Sequence, residues 1–148
     1  MFWVRKSWGI CYAHQLVGAF TEDCNKSIHG HNAKIELFIK SDTLFEAGML
    51  VDFTKIKSFV NDIIMSYDHA LIMPLDMMQM YEDYYTILEK HNKKFILFPG
   101  NPTAENMAEF ICKQIRRKLD IVWNNANKVA LSLRFHETES GYAEYFED

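Results

Sequence analysis

The alternation of apolar and polar residues predicts two strands near the start of the chain. Residues 2–16 are rich in aromatic and β-branched side chains, which favour extended backbone. In residues 31–40 apolar side chains recur at every second position, which places four of them on one face: Ala33, Ile35, Leu37 and Ile39. The two strands are expected to pair through the loop of residues 17–30.

Helical spacing of apolar residues predicts helices in the middle of the chain. Asp52 is a suitable N-cap for a helix whose apolar positions are Phe53, Ile56, Val60, Ile63 and Ile64. Residues 75–91 fit a second helix, and residues 94–98 a short strand before the Pro99-Gly100 turn. Thr103 would cap a third helix, with apolar side chains four residues apart at Met107, Ile111 and Ile115.

The chain ends in a second strand-rich region. Residues 128–138 place five side chains on one face: Val129, Leu131, Leu133, Phe135 and Glu137. A final short strand is predicted over residues 142–146, after Gly141. The order β-β-α-α-β-β indicates an α+β fold with a four-stranded antiparallel sheet and helices on one face.

Composition narrows the class of protein. The chain has 148 residues, 49% apolar and 24% charged, which is ordinary for one globular domain spanning 1–148. A net charge of −4 argues against nucleic acid or an anionic membrane as the main partner, and no apolar run approaches the ~20 residues of a membrane span. Three cysteines without CxxC spacing favour a reducing compartment, so we expect a cytoplasmic protein.

Three histidines form the strongest local signal for chemistry. His29 and His31 are two residues apart, so on extended backbone their imidazoles share a face, and Gly30 between them lets the chain bend. His14, in the neighbouring strand, can supply a third nitrogen. Three histidines with an open fourth position are typical of a catalytic zinc site. The alternative is a chance pair of exposed loop histidines.

Two further groups could carry proton transfer. Cys24 lies in a polar loop, where a nearby cation would favour its thiolate as a base or nucleophile; otherwise it is an ordinary free thiol. Asp68 precedes His69, and a carboxylate beside an imidazole can fix its tautomer. A helix-capping aspartate beside a surface histidine would explain the same pair without catalysis.

Two glutamates also admit two interpretations. Glu137 ends an apolar strand face, where its carboxylate could receive two adjacent N–H groups of an amino-pyrimidinone ring; alternatively the strand leaves the core at Phe135 and Glu137 is solvated. Glu105 lies in the first turn of its helix, where a favourable interaction with the helix dipole suffices to explain it.

Taken in order, six short motifs resemble the 6-pyruvoyltetrahydropterin synthase and 6-carboxytetrahydropterin synthase family. They extend from residue 13 to residue 138 and therefore cover most of the chain. The motifs are Ala13-His14-Gln15-Leu16, Cys24 followed by His29-Gly30-His31-Asn32, Gly48-Met49-Leu50-Val51-Asp52-Phe53, Asp68-His69, Pro102-Thr103-Ala104-Glu105-Asn106 and Glu137-Thr138.

This resemblance implies the tunnelling fold (T-fold), in which protomers join their sheets into a barrel with the helices outside. It also implies a homo-oligomer, usually a hexamer, with active sites between subunits. The implied metal is zinc, and the implied substrate is the small-molecule pterin 7,8-dihydroneopterin triphosphate. By the same resemblance each candidate residue acquires a role: His14, His29 and His31 bind zinc, Cys24 accepts a proton, Asp68 and His69 form a relay, Glu137 anchors the pterin, and Thr103 and Glu105 lie in the pocket.

Between the two family products, the spacing of Cys24 favours 6-carboxytetrahydropterin, an early step toward queuosine. Four residues separate Cys24 from His29, between the three common in bacterial 6-carboxy enzymes and the five of animal pyruvoyl enzymes. After Asp68-His69 the family often has Leu-Asn, whereas Ile72-Met73 stand at those positions in this chain. The segment of residues 74–101 is longer than in the compact members of the family. The alternatives are 6-pyruvoyltetrahydropterin formation and a pterin-binding T-fold protein without catalysis.

Overall fold

A computed structural model describes residues 1–147 of the chain. Three short 3₁₀ turns, Glu46–Gly48, Leu75–Met77 and Ala126–Lys128, lie between the main elements. In chain order the main elements are β1 (Phe2–His14), α1 (Glu22–Lys26), β2 (His29–Ser41), α2 (Phe53–Tyr67), β3 (Leu71–Pro74), α3 (Glu82–Lys90), β4 (Phe95–Phe98), α4 (Ala104–Val122), β5 (Ala130–His136) and β6 (Tyr142–Glu147).

The strands form a single sheet in the order β4-β3-β1-β2-β5-β6. The α+β class is confirmed, but the prediction of four antiparallel strands is wrong, because the sheet has six strands. Strands β1, β2, β5 and β6 make the antiparallel part, whereas β1–β3 and β3–β4 pair in parallel. The two strands beyond the predicted four are β3 and β4, each four residues long. Residues 94–98 are predicted as a strand although not as part of this sheet, whereas Leu71–Pro74 is apolar throughout and carries no alternation that would mark it.

One face of the antiparallel sheet is covered by α2 and α4. The alternating positions predicted from the sequence are buried there, and they pack with the apolar sides of both helices in one core. Asp52 caps α2 by accepting a hydrogen bond from the Thr54 N–H at 2.7 Å, as predicted. Thr103 caps α4 in the same way through the Asn106 N–H. Helices on one face of the sheet are therefore confirmed for these two.

The segment after β3 folds around a small core of its own. Met73, Met77 and Tyr85 are buried together, and α3 contributes only Tyr85 to them. The helix predicted over residues 75–91 is shorter than expected, because Leu75–Met77 is a 3₁₀ turn and Tyr81 has non-helical backbone angles. The strand predicted over residues 94–98 is confirmed as β4.

The opposite sheet face and the outer edge of β1 are uncovered within residues 1–147. β3 pairs with β1 only at Ala13 and His14, so the edge from Phe2 to Ile10 has no strand beside it. Each helix between residues 1 and 147 is too short or too polar to cross a membrane.

Candidate metal centre and surrounding residues

The hairpin of β1 and β2 brings three histidines together. His14 ends β1 and lies opposite His29, the first residue of β2, while His31 lies opposite Tyr12. Because side chains alternate along a strand, His29 and His31 point to the same face, and His14 joins them from the neighbouring strand. The His14 Nε2 atom lies 3.1 Å from Nε2 of His29 and 3.2 Å from Nε2 of His31. The predicted cluster is thereby confirmed as a group able to hold a metal ion.

Backbone carbonyls decide which nitrogen of two imidazoles carries the proton. His14 Nδ1 lies 2.8 Å from the Pro102 carbonyl oxygen, and His29 Nδ1 lies 3.0 Å from the Ser27 carbonyl oxygen. A carbonyl can only accept, so Nδ1–H must donate in both cases, which leaves the Nε2 lone pairs facing each other. Bonds of ~2.0–2.1 Å to a tetrahedral ion put ligand nitrogens about 3.3 Å apart, close to the spacing found here.

Electrostatics also favours neutral imidazoles at this centre. Burial lowers the pKa of His14, and the neighbouring His29 and His31 lower it further. Burial likewise lowers the pKa of His31. A neutral imidazole is the form that binds a metal ion, so the lowered pKa values of His14 and His31 favour metal binding by these two rings.

Glu137 lies beside the histidines, after the end of β5. Its Oε1 atom is 3.5 Å from His14 Nε2 and 3.7 Å from His31 Nε2, and it accepts a 3.4 Å hydrogen bond from the Tyr12 hydroxyl. The side chain is 30% exposed, so the carboxylate is neither in the core nor simply solvated. Burial, followed by the charge of Glu137, raises the pKa of Tyr12, so the hydroxyl keeps its proton and remains a donor.

Asp68 and His69 form a hydrogen-bonded pair at the outer side of β1. Asp68 Oδ2 lies 2.8 Å from His69 Nδ1, and Asp68 Oδ1 accepts from the Cys11 N–H at 2.8 Å. His69 N–H donates to the Cys11 carbonyl at 2.6 Å, and His69 has a positive φ of 56°. The hydrogen bond from Cys11, and next that from His69, lower the pKa of Asp68. The carboxylate is thus ionised at neutral pH and holds the His69 ring in one orientation.

Within residues 1–147, no hydrogen bond or ion pair joins this Asp68–His69 pair to Cys24 or to the three histidines. The pair is anchored at Cys11, three residues along β1 from His14, which is about 10 Å at the rise of a strand. Cys24 lies half-buried in α1, Thr103 caps α4, and Glu105 is exposed in its first turn. Within residues 1–147, the three histidines and the Asp68–His69 pair are therefore two separate groups, and no hydrogen bond joins the side chains of Cys24, Thr103 or Glu105 to either group.

Several residues at the centre were not found by sequence reasoning. The Tyr12 ring packs edge-on against His14, with ring centroids 5.2 Å apart, and lies 5.6 Å from the His31 ring. Its position two residues before His14 places it on the same strand face, which is a signal the sequence did contain. Pro102 and Ser27 act through their carbonyl groups, which every residue has, so no sequence pattern marks them.

The fold and the histidine cluster define a class of α+β protein with three histidines able to hold a metal ion where β1 ends and β2 begins. Solved structures confirm the T-fold. An uncharacterised protein from Wolinella succinogenes superposes with a TM-score of 0.79 at 20% identity, covering 99% of this chain and 98% of that one. The Plasmodium vivax 6-pyruvoyltetrahydropterin synthase superposes with a TM-score of 0.72 at 16% identity, covering 100% and 99% of the two chains.

Sequence comparison then identifies the family. The profile described as 6-pyruvoyl tetrahydropterin synthase matches residues 4–148, so the chain belongs to that family. A relative from Haemophilus influenzae, named 6-carboxy-5,6,7,8-tetrahydropterin synthase, is 30% identical over 152 aligned positions, covering 99% of this chain and all of its own. A Helicobacter pylori protein of the same name is 28% identical and covers 97% of this chain and 72% of its own.

Proposed function

We propose that this protein is a zinc-dependent 6-carboxy-5,6,7,8-tetrahydropterin synthase in the route to queuosine. It would convert 7,8-dihydroneopterin triphosphate and one water into 6-carboxytetrahydropterin, acetaldehyde and triphosphate. The observation that carries this proposal is the convergence of three imidazole Nε2 atoms beside the Glu137 carboxylate, in a chain of this family. The names of the relatives favour the 6-carboxy product over the 6-pyruvoyl product.

His14, His29 and His31 would hold the zinc ion and leave its fourth position open. Bound there, zinc supplies a positive charge that acidifies the hydroxyl and adjacent C–H groups of the substrate side chain. The Pro102 and Ser27 carbonyls keep two of the rings in the tautomer that this requires.

Proton transfer is assigned to Cys24, Asp68 and His69. Cys24 accepts a proton from the substrate side chain as its thiolate, and the Asp68–His69 pair relays a proton. Support for the relay comes from the 2.8 Å contact with Asp68, which occupies His69 Nδ1 and leaves Nε2 available. His69 is 78% exposed, so that nitrogen can reach a substrate or another subunit.

Recognition of the pterin ring is assigned to Glu137. Its two carboxylate oxygens match two adjacent N–H donors of the ring, and the Tyr12 hydroxyl orients the carboxylate. Thr103 and Glu105, at the start of α4, contribute to the same pocket.

The proposed working unit is a homo-oligomer, a hexamer in its simplest form, in the cytoplasm. The edge of β1 from Phe2 to Ile10 and the outer edge of β6 have no partner strand within residues 1–147. The roughly 10 Å between the anchor of the Asp68–His69 pair and His14 agrees with a site completed by two subunits.

Mass spectrometry of the products formed from 7,8-dihydroneopterin triphosphate tests the proposed function. Acetaldehyde together with a carboxypterin is the expected result. A pyruvoylpterin would establish the alternative synthase, and unchanged substrate would indicate a binding protein without catalysis.

Cys24→Ala should lower kcat by about 10²-fold or more, since a positioned base contributes that much. Full turnover by this variant would remove Cys24 from the mechanism.

A further inference from the structure

The loop that carries Cys24 has little apolar packing to hold it. None of residues 15–28 is buried, and Phe20 is fully exposed. The position of α1 therefore depends on hydrogen bonds. Three of these lie within the loop or link it to the end of β1: Leu16 N–H to the Cys24 carbonyl, Gln15 Nε2 to the Asn25 carbonyl, and Gly18 N–H to Asn25 Oδ1.

Asn101 supplies a further attachment, from far along the chain. Its Oδ1 accepts from the Val17 N–H at 2.8 Å, and its Nδ2 donates to the Val17 carbonyl at 2.7 Å. This paired contact uses every hydrogen-bonding group of the Val17 backbone. Across residues 1–147, no other hydrogen bond ties residues 16–28 to an element other than β1 or β2.

The segment around Asn101 is itself fixed and touches the metal centre. Its carbonyl accepts from the Thr103 N–H at 2.9 Å and from Asn106 Nδ2 at 2.8 Å, which ties it to the start of α4. The next residue, Pro102, is buried and accepts the hydrogen bond from His14 Nδ1. Residues 101 and 102 thus contact the loop of Cys24 on one side and a metal ligand on the other.

We propose that Asn101 is a positioning residue that sets the place of Cys24 relative to the three histidines. This inference rests on the proposed role of Cys24 as the proton acceptor. The amide is the side chain suited to the task, because it both donates and accepts in one plane. Displacement of a reacting group by about 1 Å can cost about 10²-fold in rate, so a small shift of this loop is sufficient to impair proton transfer.

Two substitutions separate the components of the contact. Asn101→Ala removes both hydrogen bonds. Asn101→Asp keeps the size and the acceptor but loses the donor, and it places a carboxylate oxygen against the Val17 carbonyl. Both variants should therefore release the loop. Asn124→Ala is the matched control, since Asn124 is exposed and lies after the end of α4, far along the chain from the loop.

The test uses the metal-loaded protein and three measurements. Alkylation by iodoacetamide, followed by peptide mass spectrometry, gives the rate at Cys24 with the exposed Cys11 as an internal reference. Metal content is measured by plasma mass spectrometry, and kcat and KM are measured with 7,8-dihydroneopterin triphosphate. We expect both Asn101 variants to alkylate several-fold faster at Cys24 relative to Cys11, to lose about tenfold to 100-fold in kcat, and to retain their metal.

Other results would overturn the proposal. An unchanged Cys24 to Cys11 ratio would show that the loop does not depend on Asn101. Loss of metal together with activity would show that Asn101 acts through His14. If Asn101→Ala does not fold, the nearly isosteric Asn101→Asp decides between these outcomes. If the wild-type protein lacks turnover, the proposed function fails, whereas the alkylation ratio still tests the placement of Cys24 by Asn101.

Discussion

At the scale of single residues, the metal centre depends on groups that are not themselves ligands. His14 and His29 present Nε2 inward because carbonyl groups of Pro102 and Ser27 engage Nδ1. The position of these carbonyls follows from the backbone of two separate loops, one before β2 and one before α4. The donor set is consequently formed only when both loops are in place.

Removing one histidine should abolish stable metal binding. In His29→Ala we expect metal affinity to fall by more than the ~10-fold to 100-fold typical of losing a supporting contact, because a ligand itself is lost. Metal content after dialysis against a weak chelator is the measurement. His91→Ala is the control, since His91 lies at the end of α3 and outside the cluster. Unchanged metal content in His29→Ala would show that the cluster is not the metal site.

A second residue-scale feature is the carboxylate of Glu36, on the sheet face opposite α2 and α4, which is buried by neighbouring side chains. Its side chain is 2% exposed and accepts from Arg5 at 2.8 Å and from His136 at 2.7 Å. Burial alone would raise the pKa of Glu36, but the hydrogen bond from His136 and the charges of Lys34 and Arg5 outweigh it, so the pKa is lowered. Glu36 therefore stays ionised and offsets the surrounding positive charges.

Glu36→Gln should lower the free energy of unfolding by about 2 kcal/mol at neutral pH, the scale of a hydrogen bond to a charged group. The effect stays modest because Arg5 is 56% exposed and can turn to water. A lowered folded-state pKa stabilises the protein above the unfolded value of ~4.3, and this contribution is lost as pH falls through the folded-state pKa. In urea unfolding, the difference in free energy of unfolding between Glu36→Gln and wild type should thus be smaller at pH ~3.5 than at pH 7. Glu139 is exposed, so Glu139→Gln should have the same free energy of unfolding as wild type at either pH.

At the scale of elements, α4 connects the core to the candidate site. Its N-terminus is capped by Thr103 and lies next to Pro102, while its apolar side packs on β5 and β6. The helix is 19 residues long and contributes six buried side chains, so its placement depends mainly on packing. Errors in this packing would be transmitted to the Pro102 carbonyl and hence to His14.

Ile111→Ala should cost about 2–5 kcal/mol, because a fully buried side chain is replaced by a cavity. Ile121 in the same helix is 83% exposed, so Ile121→Ala should change stability by less than about 0.5 kcal/mol. Thermal unfolding of the two variants makes a matched comparison. Equal destabilisation would contradict the orientation of α4 on the sheet.

The elements that could be predicted from the sequence are those with a periodic pattern and a buried face. The sequence pattern predicts all six ends of the long strands β1, β2 and β5 to within two residues, because one face of each strand is apolar. The five-residue α1 and the four-residue β3 are too short to show a period. Likewise, the meeting of His14, His29 and His31 follows from strand alternation, whereas the contact of Asn101 with Val17 joins residues 84 positions apart.

At the scale of the whole molecule, the antiparallel part of the sheet has two edges that can pair with each other, the Phe2–Ile10 part of β1 and the outer side of β6. β1 and β6 are the outer strands of the antiparallel part, and the order β1-β2-β5-β6 makes them antiparallel to each other. The β6 edge of one copy can therefore extend the β1 edge of the next with all helices on the same face. Repetition of such a head-to-tail contact would generate a closed ring where the rotation between copies closes, and an open filament otherwise.

The direction of backbone groups along β1 makes this assembly testable at a single residue. Cys11 N–H and Ala13 N–H both point away from β2, toward Asp68 and Ala70. Since N–H directions alternate along a strand, the N–H of Ser7 points the same way, onto the free edge. Ser7→Pro removes this donor without breaking a bond to β2, a position at which proline is tolerated. Light scattering should show a protomer of about 17.4 kDa for Ser7→Pro but an intact oligomer for Ser7→Ala. An oligomer that survives Ser7→Pro would place the contact elsewhere.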